Sequence, residues 1–224
     1  MILCLVTDRR RLGAAIGVPE ADWNEALRLQ VAGAANAGLD YVQVREPDLE
    51  AGELAELVRS LIDEARGSLT RIMVNDRIDV ALAVKAAGVH LKERSVLPDE
   101  VRRIAPPGFV IGCSVHGISA VGARKSADFL IAGTVRPTAS KPAVEYLDED
   151  GLRRIVDAAA GQPVLGIGGL DTNSVPLLAA SGARGMAAVG AFIPSGGESV
   201  AEFVQKRVND LRFALESATR RNLR

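Results

Sequence analysis

The chain has 224 residues, 48% hydrophobic and 25% charged, with 27 basic side chains against 28 acidic. That length and apolar content suit a single globular domain, near the lower limit for a complete eight-fold barrel. The balanced charge excludes a broadly basic nucleic-acid-binding surface, so electrostatic recognition should be local.

The predicted elements alternate along the whole chain. Apolar or β-branched runs occur at 2–7 (ILCLVT), 41–45 (YVQVR), 71–75 (RIMVN), 88–91 (GVHL), 110–115 (VIGCSV), 129–133 (FLIAG), 163–169 (PVLGIGG) and 185–190 (GMAAVG). Most are apolar on both faces, as parallel strands covered by helices should be. Between them, 22–37, 50–65 and 199–217 carry apolar residues three and four apart, the spacing of amphipathic helices. Pro98-Asp99-Glu100 and Asp171-Thr172-Asn173-Ser174 read as helix starts. Strand and helix in alternation predict a parallel sheet with helical crossovers. A doubly wound open sheet is the rival, but eight repeats in this length favour closure into a (β/α)8 TIM barrel covering 1–224 as one domain. The basic stretch 220–224 reads as a solvated, frayed helix end. Cys4 and Cys113 lie in apolar runs and read as reduced core residues. MILCLVTDRRR is charged too soon for a signal peptide, and no run reaches membrane-spanning length, so a cytoplasmic protein is expected, with no membrane and no nucleic-acid partner.

In this fold the chemistry gathers at the C-terminal ends of the strands. Gly166-Ile167-Gly168-Gly169 ends the seventh run and Gly190 the eighth. Glycine lets backbone N–H groups approach an anion, and the last two strands are the usual phosphate site of such barrels. Tight βα turns alone would also explain these glycines. The spacing and late position do not fit a dinucleotide fingerprint. Gln43 and Arg45 should share one face of a strand, where arginine needs an anion or a carboxylate partner such as Glu46. Arg136 to Lys141 joins two hydroxyls to a lysine, donors suited to phosphate oxygens or to a solvated loop. His116 follows the fifth run, where an imidazole can serve as general acid/base or as a structural hydrogen-bonding group. His90 reads better as a packed core residue. Asp76 can cap the helix that follows it or hold Mg²⁺.

The ordered set VTD (6–8), QVRE (43–46), NDRIDVALAVKAAGVHL (75–91), IGCSVH (111–116), PTASK (137–141) and IGGL (167–170) resembles the thiamine phosphate synthase/TenI family across nearly the whole chain. The resemblance implies a (β/α)8 barrel, a role in thiamine biosynthesis and a small-molecule thiazole phosphate ligand. Synthase members join hydroxymethylpyrimidine diphosphate to thiazole phosphate with Mg²⁺; TenI-type members tautomerise a thiazole carboxylate phosphate to its aromatic form without a cofactor. By resemblance, Gly168, Gly169, Val189 and Gly190 are phosphate positions. Arg45, Asn75, Ser114, Thr138, Ser140 and Lys141 match positions for diphosphate or pyrimidine in a synthase; carboxylate binding is the role a tautomerase would give this group. Asp76 matches a metal position. The pattern departs in two places: Pro47 stands where a diphosphate lysine is usual, and Lys92-Glu93-Arg94-Ser95 stands for Gly-Gln-Glu-Asp, so the second metal carboxylate is missing. Losing a cation and a metal ligand weakens the stabilisation of departing diphosphate. A TenI-type tautomerase with His116 as general acid/base is therefore the favoured reading. A Mg²⁺-dependent thiamine phosphate synthase and a non-catalytic phosphate-binding regulator are the alternatives. A homodimer through exposed helix faces is compatible with all three.

Overall fold

All eight apolar runs form strands, and helical structure follows each one. The computed structural model describes residues 1–138, 146–195 and 197–222. In chain order the elements are β1 (Ile2–Val6), α1 (Arg9–Ile16), α2 (Trp23–Asn36), β2 (Tyr41–Val44), α3 (Ala51–Glu64), β3 (Arg71–Asn75), α4 (Ile78–Ala83), β4 (Gly88–Leu91), α5 (Pro98–Arg102), β5 (Val110–Val115), α6 (Ile118–Val121), β6 (Phe129–Gly133), α7 (Asp148–Ala158), β7 (Val164–Ile167), α8 (Val175–Ala180), β8 (Gly185–Ala188) and α9 (Val200–Asn222). The strands pair in sequence order and close, β1 to β8, into a barrel. The chain is thus a (β/α)8 barrel, as the alternation predicted.

Several expected strands end early, each for a local reason. The seventh stops at Ile167 because Gly168 and Gly169 turn to φ +101° and +63°, outside the extended region. The second stops at Val44, one residue before Arg45. The eighth stops at Ala188, and Gly190–Phe192 forms a 3-10 turn. Helix α9 runs through Asn222, so helical backbone extends into the basic stretch at the end of the chain.

Packing groups the residues into two compact units. One comprises Cys4–Val89 and Val189–Asp210. Its strands align with Cys4 opposite Tyr41 and Tyr41 opposite Arg71, all parallel. Leu5, Leu27, Val31, Val42, Val58, Leu61 and Met73 are fully buried there, each worth about 1.5–3 kcal/mol of transfer free energy. Gln30 is buried too, and its Nε2 donates to the Phe192 carbonyl at 2.8 Å. Cys4 sits in this core as a free thiol, pushed up to about 12 by burial.

The other unit comprises Met1–Leu3, His90–Ala188 and Leu211–Arg224. Here β5, β6, β7 and β8 pair in parallel. Ile111, Leu130, Leu152, Leu165, Leu178 and Met186 form its interior. Cys113 is also a free, buried thiol, and burial pushes it to about 12. Both cysteines are core residues, as their neighbours in sequence implied. The start of β1 meets the start of β8: Ile2 N–H donates to the Arg184 carbonyl at 2.8 Å. A Cβ on Gly185 would lie 1.8 Å from the Ile2 carbonyl oxygen, so only glycine fits there. No helix among the described residues is long and apolar enough to cross a membrane.

Candidate active site

The loops after β4 and β5 bring together the residues that carry acid/base chemistry. Every residue of β4 is buried, and His90 is 2% exposed. Its Nε2 lies 2.9 Å from Ser114 Oγ on β5, so the two share one hydrogen bond. The buried histidine expected from the sequence thus holds the hydroxyl of a candidate ligand residue. Gly112 makes room for this pair: a Cβ there would lie 2.7 Å from His90 Nδ1.

Two residues past the end of β4, Glu93 turns toward the end of β5. Its Oε2 accepts from the His116 N–H at 2.6 Å and lies 2.8 Å from His116 Nδ1. The buried Arg124 donates to the Glu93 carbonyl and so fixes the loop. Burial pushes the Glu93 carboxyl up, but the hydrogen bonds from the His116 ring and main chain outweigh it and hold the group below the usual carboxylate range. With Nδ1 engaged, Nε2 is the ring nitrogen left for a reactant, and the His116 side chain is 54% exposed. Ser95 closes the turn on itself, its Oγ accepting from the Lys92 N–H at 3.1 Å. The position where a synthase would carry a second metal carboxylate therefore takes part in holding the loop's shape.

The loop after β7 is built on close approach. Val135 N–H donates to the Ile167 carbonyl and Arg136 N–H to that of Gly168, at 2.9 and 3.1 Å. A Cβ on Gly168 would lie 2.5 Å from Thr134 Cγ2, and one on Gly169 2.5 Å from the Pro137 carbonyl oxygen. Both glycines are therefore required by backbone angle and by packing, and Gly169 remains exposed. Asp171 starts the following turn by accepting from Asn173 N–H at 2.9 Å. Arg136 reaches toward Ser174 Oγ at 3.5 Å. Thr138 is half-buried. Ser140 and Lys141 lie outside the described residues.

In the other unit, the ends of β1 and β2 are bound by a buried carboxylate. Glu46 accepts from Thr7 Oγ1 at 2.6 Å and from the Arg9 N–H at 3.1 Å. Thr7 Oγ1 in turn accepts from the Arg45 N–H at 2.9 Å. Glu46 is thus not the partner of the Arg45 side chain. Arg45 lies beyond the strand and is exposed, and its guanidinium has no hydrogen bond or ion pair among the described residues, which leaves it open to an anion. Gln43 Nε2 donates to Asn75 Oδ1 at 2.9 Å, orienting the amide of another candidate ligand. Asp76 does not cap α4. The N-cap is Arg77, and Asp76 sits at φ +63° in a tight turn closed by Arg77 N–H to the Asn75 carbonyl at 2.8 Å. A left-handed aspartate costs about 1 kcal/mol, a strain often met at functional positions. Val189 is half-buried and Gly190 exposed after β8.

No group of three or more His, Cys, Asp or Glu side chains among the described residues is arranged to hold a metal ion. Glu93, the acid beside the missing metal position, is committed to His116. The position of a second metal carboxylate holds Ser95, whose Oγ is engaged with the Lys92 N–H. Sequence reasoning missed the Glu93–His116 contact, Arg124 and the Arg9–Glu46 contacts. The first had a signal: consecutive loops of a barrel are neighbours, and Glu93 is the acid in the loop preceding that of His116.

A family model described as thiamine monophosphate synthase (TMP-TENI) matches residues 14–192. A putative thiamine-phosphate synthase of Geobacter sulfurreducens is 35% identical over 195 residues, covering 85% of this chain and 86% of its own length. The thiamine-phosphate synthase of Pyrococcus abyssi is 35% identical over 185 residues, covering 82% and 86%. The solved structure of a thiamine phosphate pyrophosphorylase from Pyrococcus furiosus matches with a TM-score of 0.75 and 32% identity, over 97% of this chain and 96% of that one.

Proposed function

The chain belongs to the thiamine monophosphate synthase (TMP-TENI) family, and within that family of thiamine-biosynthesis enzymes we propose that it acts as a TenI-type thiazole tautomerase. The observation that carries this reading is the Glu93–His116 pair. A tautomerisation needs one group that takes a proton from the substrate and returns it elsewhere in the same molecule. With Nδ1–H donated to the Glu93 carboxylate, the Nε2 lone pair of His116 is the base. Taking the proton makes an imidazolium beside Glu93, which stabilises it. Giving the proton back leaves an aromatic ring and a neutral histidine, with no atom gained or lost.

The remaining roles follow from the residue types. Gly168, Gly169, Val189 and Gly190 hold the thiazole phosphate through backbone groups. Arg45, Asn75, Ser114 and Thr138, with Ser140 and Lys141, hold the substrate carboxylate. His90 sets the Ser114 hydroxyl through the 2.9 Å contact. The protein acts in the cytoplasm as one domain on a small phosphorylated substrate, with a homodimer as its expected assembly.

A second reading, the Mg²⁺-dependent synthase, draws on the relatives' names and on the strained Asp76, which it would make the metal ligand. Against it stand Pro47, Ser95 and the engagement of Glu93 with His116.

The test is proton exchange on the non-aromatic thiazole carboxylate phosphate, followed by NMR in D₂O. His116→Asn should slow exchange by about 10²–10⁴-fold while calorimetry shows thiazole phosphate still binding. Unchanged turnover in that variant overturns the reading. Mg²⁺-dependent release of diphosphate from hydroxymethylpyrimidine diphosphate and thiazole phosphate would establish the second one.

A further inference from the structure

Three arginines open α1, and they meet three different fates. Arg9 is buried, 2.7 Å from Asp48 and 3.7 Å from Glu46, with its guanidinium 5.7 Å from the centre of the Trp23 ring. Arg10 reaches the same Asp48 at 3.0 Å. The acids beside this turn are then used. Asp8 accepts from the Arg11 main-chain N–H at 3.0 Å, but the Arg11 guanidinium has no carboxylate and no hydrogen-bond acceptor among the described residues. Instead it lies against the loop after β8. A Cβ on Gly190 would be 3.0 Å from Arg11 Nη2, 3.6 Å from Cζ and 3.7 Å from Nη1. The guanidinium therefore borders the space a side chain at residue 190 would fill, with Nη2 nearest.

Arg11 is exposed, so moving its tip costs little. A cation without a counter-charge among the described residues is held next to a residue that has no side chain to obstruct an incoming group. A guanidinium presents two parallel N–H donors that match two oxygens of a phosphate.

We propose that Arg11 is a side-chain ligand for a phosphomonoester dianion bound at the loop after β8, and that it makes the protein discriminate phosphorylated from unphosphorylated thiazole. This rests on the reading of Gly190 as a phosphate position. It adds a charged, selective group from the first helix to a site otherwise assigned to backbone.

Calorimetry with thiazole phosphate and with the corresponding thiazole alcohol tests it, using wild type, Arg11→Ala, Arg11→Lys and Arg10→Ala. Arg11→Ala should weaken binding of the phosphate ester by about 10–100-fold and leave binding of the alcohol unchanged. Arg11→Lys should recover part of the loss, because it restores charge without the fork. Arg10→Ala removes the same charge from the same turn and should leave the phosphate affinity within about two-fold, since its partner is Asp48 and exposed charge is screened. Thermal melting of Arg11→Ala should match wild type, because the side chain has no partner to lose. Equal affinity of Arg11→Ala and wild type for the ester overturns the proposal, as does an equal loss in Arg10→Ala. If wild type itself binds ester and alcohol alike, the phosphate reading of Gly190 has failed, and the role of Arg11 falls with it.

Discussion

Glu46 and Glu93 both stand two residues past a strand, β2 and β4 respectively, and the protein puts them to opposite uses. Glu46 is 4% exposed. It is surrounded by donors, yet burial dominates and pushes its carboxyl up to about 7, over the hydrogen bonds from Thr7 and the Arg9 N–H and the charge of Arg9. The Arg9 guanidinium is a distant partner at 3.7 Å because Asp48 takes it at 2.7 Å. Glu93 is 34% exposed at its side chain; burial pushes its carboxyl up too, but the hydrogen bonds from the His116 ring and main chain together outweigh it and hold the group below the ordinary carboxylate range. A carboxylate that is to orient the proposed base, His116, must stay charged. One that ties two strand ends together need not. Depth decides between them, because the cost of removing a charge from water grows faster with burial than the return from a partly engaged partner.

That contrast can be broken by experiment. The largest effect is expected for Glu46→Gln. A carboxyl raised from the ordinary 4.5 to about 7 binds more protons in the folded state between those values, so the wild type should lose stability as pH rises through that window. The shift corresponds to roughly 3 kcal/mol. Stability of Glu46→Gln relative to wild type, from urea unfolding at pH 5 and pH 8, should therefore improve by about that amount, and parallel pH curves would refute the buried-charge account. Next in size is Glu93→Ala, which should lower kcat by about 10–100-fold with KM little changed. The ¹⁵N shifts of His116 should show a mixed tautomer in place of Nδ1–H, and Glu93→Gln, which keeps an acceptor, should recover part of the rate. A tautomer unchanged by Glu93→Ala would remove Glu93 from the mechanism. Smallest is Arg10→Ala: its exposed bridge to Asp48 should be worth less than about 1 kcal/mol in the same unfolding assay.

The strands were legible in the sequence because a barrel strand is covered on both faces, so FLIAG or GVHL reads as an unbroken apolar run. Their ends were less so. Whether Gly168 and Gly169 continue a strand depends on their φ, and they pack closely against Thr134 and Pro137 respectively, more than thirty residues earlier. His116 could be placed because it follows a strand, whereas its partner Glu93 is 23 residues away and has an exposed acid's appearance in the sequence. The three arginines of α1 are identical letters, and only the acids around them separate a core residue from a surface bridge and from a cation with no carboxylate partner among the described residues. Asp76 looked like a helix cap because aspartate before a helix usually is one, and the tight turn at Arg77 moved the cap one residue on.

Ile2 and Gly185 carry a consequence for the order in which the chain acquires its structure. The hydrogen bond from Ile2 to Arg184 and the bare Cα of Gly185 beneath the Ile2 carbonyl join parts of the chain made roughly 180 residues apart. On the ribosome, the edge of β1 must wait, unpaired on that side, until residue 185 has emerged. Local βα units can form as they appear, and ring closure comes last, at the highest loop entropy. The absence of a side chain at residue 185 therefore matters most at that moment, when a single methyl group would stand between an open sheet and a closed one.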